Sequence, residues 1–220
     1  MANLIFDYDG TIHNCLKIYA PAFRKAYGWL VENGYSMPKD HTDTEISYWL
    51  GFNSADMWSM FQPQLSQEIK DKCRRMIGSE MNRCVSCGEA ELFSGTEEVL
   101  NRLRSQGHTL IFLSNCRRRY MEVHSAAFGL DRFFHFFYCC EDYDFLPKYE
   151  IFRKIKPLHK GEFIVIGDRF HDIETAVKNE LKSIGCGYGY GSEQELADAD
   201  IIVNSIQEIP NAVNKLIGHL

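Results

Sequence analysis

No run of residues in this chain approaches the ~18–20 consecutive apolar positions of a membrane-crossing helix. A role inside the bilayer is therefore not expected. The start of the chain lacks a basic segment followed by a long apolar stretch, so a secretory leader is not expected and the cytoplasm is the anticipated compartment. Positive charge is also short: 24 Lys and Arg stand against 30 Asp and Glu, a net charge of -6. That balance argues against nucleic acid or an anionic membrane as partner. An anionic small substrate would need local positive charge or a metal. Internal repeats and low-complexity segments are absent. The eight cysteines lack the spacing of a disulfide framework. Cys84 and Cys87 form a CxxC pair, but a structural zinc needs four ligands and no second Cys or His pair follows. Scattered free thiols and a metal pair both stay open there.

What is present begins at the first residues. Asp7-Tyr8-Asp9-Gly10-Thr11 follows the apolar run Leu4-Ile5-Phe6. In extended chain, residues i and i+2 point the same way. Asp7 and Asp9 can then face one reacting centre, one as nucleophile and one as acid/base. Gly10 and Thr11 supply a turn that brings backbone close to an anion. A strand followed by an ordinary Asp-Gly turn is the competing reading.

Short apolar runs recur at Leu4–Phe6, Leu110–Leu113, Phe133–Tyr138, Phe163–Ile166, Ser183–Cys186 and Ile201–Val203. Several have the continuous apolar character of strands covered on both faces. Helix-like segments lie between them, at Thr96–Gln106, Tyr120–Phe128, Tyr149–Lys156 and Asp172–Leu181. The alternation predicts an α/β fold: a Rossmann-like parallel sheet with helices on both faces. Residues 16–90 differ. They hold only helix-like segments, Tyr19–Asn33, Asp43–Leu50, Ser54–Phe61 and Ser66–Met81, and predict an inserted all-helical domain between core segments 1–15 and 91–220. Gly187–Gly191 reads as a mobile loop, Ser192–Asp200 as a solvated acidic face, and His171 as a solvent-facing loop residue.

Ligand sites of such sheets lie beyond the carboxyl ends of the strands. There the first strand delivers Asp7 and Asp9, the second Ser114-Asn115, and the fourth Gly167-Asp168 and then Asp172. Pro147-Lys148 stands between them. Singly, each has a plain explanation: a strand-end turn for Ser114-Asn115, a surface lysine for Lys148, a helix N-cap for Asp168 and Asp172. Four carboxylates converging on one site would repel one another, and a divalent cation removes that cost. An all-oxygen ligand set suits a hard cation.

In this order, Asp7–Thr11, Ser114-Asn115, Lys148 and Gly167–Asp172 resemble the four signatures of the haloacid dehalogenase-like superfamily, chiefly its phosphatase branch. The ending Gly187–Ser192 with Glu195-Leu196 and Ala199-Asp200 is similar to phosphoglycolate-phosphatase-like members, and the helical insert to that family's first type of cap. The resemblance implies a Mg²⁺-dependent phosphatase acting on a small phosphorylated metabolite through an aspartyl phosphate. Asp7 would attack phosphorus; Asp9 would protonate the leaving alcohol and then activate water. Gly10, Thr11, Ser114, Asn115 and Lys148 would bind the substrate. The side chains of Asp7 and Asp168 and the carbonyl of Asp9 would hold the metal, with Asp172 a ligand through water or an orienter. The same resemblance leaves open a phosphosugar mutase and a catalytically idle metabolite-phosphate binder. No basic residue stands between Gly51 and Phe61, where related mutases tend to have one. A monomer or homodimer is expected.

Two departures stand out. The family's usual Lys-Pro is Pro147-Lys148 here, and a true Lys-Pro falls at Lys156-Pro157; Lys148 is the preferred candidate. His13, Asn14, Cys15 and Cys116 lie close to the inferred site. His13 and Asn14 could touch a leaving group, or be structural.

Overall fold

The computed structural model describes residues 1–218. Among these, residues 1–14 and those from 92 onward cluster as one compact unit and residues 15–91 as another. Six strands form the sheet of the first: β1 (Asn3–Phe6), β2 (Thr109–Ser114), β3 (Phe136–Cys139), β4 (Phe163–Gly167), β5 (Lys182–Cys186) and β6 (Ile201–Val203). The second unit carries α1 (Leu16–Glu32), α2 (Asp43–Ser47), α3 (Ser54–Phe61) and α4 (Gln67–Ser86). The first carries α5 (Thr96–Ser105), α6 (Arg118–Phe128), α7 (Lys148–Ile155), α8 (Phe170–Val177), α9 (Glu193–Leu196) and α10 (Ile209–Leu216).

All strand pairs are parallel, in the order β3-β2-β1-β4-β5-β6. The order reverses beside β1, whose Phe6 is level with Phe112 of β2 and Ile166 of β4. Such a reversal opens a crevice at the carboxyl ends, where ligands bind in open α/β sheets.

The period-2 alternation of the strands divides the core. Leu4, Phe6, Leu110, Phe112, Ile164 and Ile166 pack with Val99, Leu103, Met121 and Val213 of α5, α6 and α10. Ile5, Ile111, Leu113 and Val165 pack on the other face with Ile151, Phe152 and Ile155 of α7 and Ala176 of α8. Each large apolar side chain so buried contributes roughly 1.5–3 kcal/mol. Both faces are covered, as the uninterrupted apolar runs require.

Some boundaries differ from the sequence expectation. β3 starts at Phe136, because Phe133 and Phe134 are already buried by the 3₁₀ turn at Leu130–Arg132. α8 starts at Phe170 and ends at Val177, and Glu180 takes a left-handed φ of 54°. α10, which the sequence reading did not separate, closes one face of the sheet.

In the second unit α1 packs against α4, around a core that includes Phe23, Trp58 and Ile77. The starts of α2, α3 and α4 are capped: Thr42 and Glu45 form a reciprocal box, the Asn53 side chain accepts from the Ala55 and Asp56 amides at 3.0 Å, and Ser66 accepts from the Ile69 amide. Asn53 is thus occupied in starting α3. Cys84 is buried on α4, Cys87 is exposed beyond it, and all eight cysteines are unbridged. Among the described residues, no helix is long and apolar enough to cross a membrane.

Candidate active site

β1 ends at Phe6, and Asp7 lies one step past it. The Asp7 amide still donates to the Ile166 carbonyl of β4 at 2.9 Å, which sets Asp7 at the carboxyl edge of the sheet centre. The chain then winds back on itself. The Tyr8 carbonyl accepts from the amides of Thr11, Ile12 and His13 at 3.3, 2.8 and 2.9 Å. Gly10 takes a φ of 89°, and a Cβ there would fall on the Asp168 carboxylate. Only glycine meets both conditions.

β4 delivers Asp168 from its last residue, Gly167. Asp168 is fully buried. Its Oδ1 accepts the Thr11 hydroxyl at 3.2 Å and its Oδ2 the Tyr190 amide at 2.8 Å. Asp172 sits in the first turn of α8, where its Oδ2 accepts the Arg169 amide at 3.2 Å. Its Oδ1 accepts Lys148 Nζ at 2.7 Å. Lys148 opens α7, and the same Nζ lies 2.7 Å from Asp7 Oδ1. One carboxylate oxygen from each of Asp7, Asp168 and Asp172 lies within 4.8 Å of the others. Of the two candidate lysines, Lys148 lies beside Asp7 and Asp172, whereas Lys156 follows the far end of α7, its Nζ over the Phe152 ring.

Three buried carboxylates facing one ammonium would, if all were ionised, leave two negative charges uncompensated. Burial first, and then Asp172, push the Asp7 carboxyl above the usual range, against the pull of Lys148. Burial, Asp7 and Asp172 raise Asp168 well above it. Burial lowers the Lys148 pKa, but Asp172 and Asp7 outweigh it and hold the ammonium charged. An all-oxygen donor set short of two positive charges fits a hard divalent cation such as Mg²⁺.

Asp9 does not join this group, which corrects the picture of four converging carboxylates. Asp9 lies three residues past the end of β1, in the turn that follows it. The Asp9 Oδ1 instead accepts His13 Nδ1 at 2.8 Å and the Tyr120 hydroxyl at 2.7 Å. Burial alone would raise its pKa; the His13 bond and charge, His124 and the Tyr120 bond hold it below the usual carboxylate value.

Ser114 ends β2 and is buried, with Asn115 following it. By the register of β1 and β2 it lies one residue beyond the level of Asp7. Thr11 is fully buried, and its hydroxyl is committed to Asp168. It therefore places that carboxylate, where substrate contact had been anticipated. The Asn14 amide oxygen accepts the Tyr190 hydroxyl at 2.9 Å. Burial pushes the Cys116 thiol well up, which makes it a poor nucleophile.

The sequence reading missed the support beneath these groups. Gly187–Gly191, expected to be mobile, is fastened to the site: a Cβ at Gly189 would strike Asp168, and the Tyr188 hydroxyl donates to the Thr11 carbonyl at 2.8 Å. The alternating glycines of that loop were the available signal, since glycine marks close backbone approach. Arg169 is 1% exposed, and its Nε donates to Glu195 Oε2 at 2.8 Å. Ser192–Asp200 is accordingly no purely solvated face, and Asp200 Oδ2 accepts the Ser183 amide at 2.7 Å. His171, expected in solvent, is half-buried against the Phe170 ring.

The family model described as haloacid dehalogenase-like hydrolase matches residues 4–186. A phosphoglycolate phosphatase from Pectobacterium atrosepticum is 26% identical over 98% of this chain and 92% of its own length. A 5'-nucleotidase from Pseudomonas aeruginosa is 34% identical over 53% of this chain, a match that spans 55% of that protein. Among solved structures, a predicted phosphatase from Clostridium acetobutylicum superposes with a TM-score of 0.82 at 21% identity, covering 97% of this chain and 98% of that one; at that identity it speaks for the fold. The chain belongs to the haloacid dehalogenase-like hydrolase family, among phosphoglycolate-phosphatase-like members, and is an enzyme.

Proposed function

We propose that the protein is a Mg²⁺-dependent phosphoric monoester hydrolase that cleaves a small phosphorylated metabolite through an aspartyl phosphate on Asp7. The observation that carries this reading is Lys148, held between Asp7 and Asp172 in a buried carboxylate group that is two positive charges short. Asp7 and Asp168, with the Asp9 carbonyl, would hold the cation; Asp172, with both oxygens already bonded, is the orienter of Lys148. A bound divalent cation supplies charge neutralisation for the transferring phosphoryl group.

A carboxylate oxygen of Asp7 attacks phosphorus as the bond from phosphorus to the ester oxygen breaks. Asp9, ionised in the resting protein, takes up a proton from solvent before this step and gives it to the departing alkoxide. Water then attacks phosphorus, Asp9 takes the water proton, and the bond from phosphorus to Asp7 breaks to release phosphate. Lys148 has three donors; two rest on Asp7 and Asp172, and the third serves a phosphoryl oxygen. Ser114 and the Asn115 amide supply further donors where phosphoryl-transfer charge spreads. The helical unit of residues 15–91 is read as the cap that selects the ester and excludes water.

The names of the relatives suggest phosphoglycolate and nucleoside 5'-monophosphates as the first esters to assay. The test is release of phosphate from these and from 4-nitrophenyl phosphate, with and without Mg²⁺. Turnover that requires Mg²⁺ and disappears in Asp7→Asn supports the assignment. Unchanged turnover in Asp7→Asn contradicts it. Rapid return of phosphate to a sugar phosphate with little release to water would favour the mutase alternative.

A further inference from the structure

We propose that His13 and Tyr120 are positioning residues for Asp9: both donate to Oδ1, fix the plane of the carboxylate and leave Oδ2 to carry the travelling proton. The inference rests on the phosphatase reading above and deepens it.

Several observations converge. His13 is fully buried, yet it is a polar residue in a turn beside the strand-end carboxylates. The winding of residues 8–13 brings its Nδ1 to 2.8 Å from Asp9 Oδ1. Tyr120, two residues into α6, reaches the same oxygen at 2.7 Å and lies 3.3 Å from His13 Nδ1. An ionised carboxylate only accepts hydrogen bonds, so the His13 tautomer that fits is the one with the proton on Nδ1. Among the described residues, both hydrogen bonds to this carboxylate land on one oxygen.

The donors are themselves locked. The His13 ring stacks on Tyr8, with centroids 5.1 Å apart and planes 12° apart, and meets the His124 ring edge-on at 4.7 Å. His124 lies one helical turn beyond Tyr120, their rings 3.9 Å apart, and its Nδ1 is 2.9 Å from the Tyr8 hydroxyl. Neither ring can swing without disturbing the others. Burying His13 Nε2 without a hydrogen-bond partner carries a cost of about 1–3 kcal/mol. An apolar side chain would avoid that cost if packing were all the position required. A proton-transfer group must be held within a few tenths of an ångström of its productive geometry, and two donors on one oxygen do that.

The test compares kcat/KM, which reports the step that forms the aspartyl phosphate, on two esters with Mg²⁺ present. An alkyl phosphate needs its leaving oxygen protonated, whereas 4-nitrophenolate leaves without help. General acid catalysis is worth roughly 10²–10⁴-fold. Tyr120→Phe and His13→Leu are each expected to raise the ratio of aryl to alkyl kcat/KM by about tenfold or more. His13→Asn, whose side-chain amide can restore a donor near Nδ1, should bring the ratio back towards wild type. Turnover of the aryl ester reports folding in the same tube. An unchanged ratio, with both esters slowed alike, overturns the inference and marks these residues as merely structural. A wild type that hydrolyses neither ester overturns the phosphatase reading and this inference with it.

Discussion

The Arg169 guanidinium is buried, and Glu195 holds it from the far side of a glycine-rich loop, Nε to Oε2 at 2.8 Å and Nη2 to Oε1 at 3.2 Å. Arg169 stands directly between Asp168 and the turn that carries Asp172. The pair therefore ties the loop after β5 to the strand end that supplies the carboxylates. Glu195→Ala leaves a buried cation without its bidentate partner. The expected cost is roughly 2–3 kcal/mol, the low end for a broken buried pair, because the Glu195 side chain is 21% exposed. Urea unfolding of the variant measures it, and Glu195→Gln should lose less.

Cation binding should be visible without any turnover. A ligand that binds only the folded state at 100 times its Kd stabilises by about 2.7 kcal/mol. Mg²⁺ is expected to raise Tm in the wild type and to raise it far less in Asp168→Asn. The pH dependence follows from the raised pKa values of Asp7 and Asp168. In the metal-free protein these carboxyls retain protons that a cation must displace. The Mg²⁺-induced rise in Tm should therefore shrink as pH falls from 8 to 5. Scanning fluorimetry over that range checks it.

His124 contributes a pH dependence of its own. Burial, with His13 adding to it, pushes its pKa down to about 3. The unfolded chain then binds a proton that the folded chain refuses between pH ~6.5 and that value, so this contribution to stability falls as pH falls. The limiting slope is about 1.4 kcal/mol per pH unit. Asp7 and Asp168, with raised values, work in the opposite direction, which makes the wild-type curve alone ambiguous. The difference between wild type and His124→Gln isolates the histidine. The stability advantage of wild type should decline between pH 7 and pH 5, as read by urea titration at each pH.

Much of the sheet was legible because strands covered on both faces leave uninterrupted apolar runs, as Ile164-Val165-Ile166 does. The site was legible because its polar groups fall at the carboxyl ends of those runs. Other features have no local trace. The Arg169–Glu195 pair spans 26 positions, and the Tyr120–Asp9 bond spans 111. Neither spacing follows from helix or strand periodicity. The carboxylate oxygens that gather are those of Asp7, Asp168 and Asp172; Asp9 stands apart from them because it lies in a turn past β1, where His13 and Tyr120 hold its Oδ1. His13 was left between a leaving-group contact and a structural role because its meaning depends on the rings of Tyr8 and His124 around it.

The central assignment is covalent: Asp7 carries the phosphoryl group during turnover. Wild-type protein mixed with Mg²⁺ and excess phosphate ester, quenched in acid within the first turnovers and digested, should yield the N-terminal peptide with one added phosphoryl group on Asp7. Asp7→Asn, treated in the same way, should yield none and should release no phosphate. Sustained phosphate release by Asp7→Asn, or a phosphoryl group trapped on any other residue, would contradict the assignment.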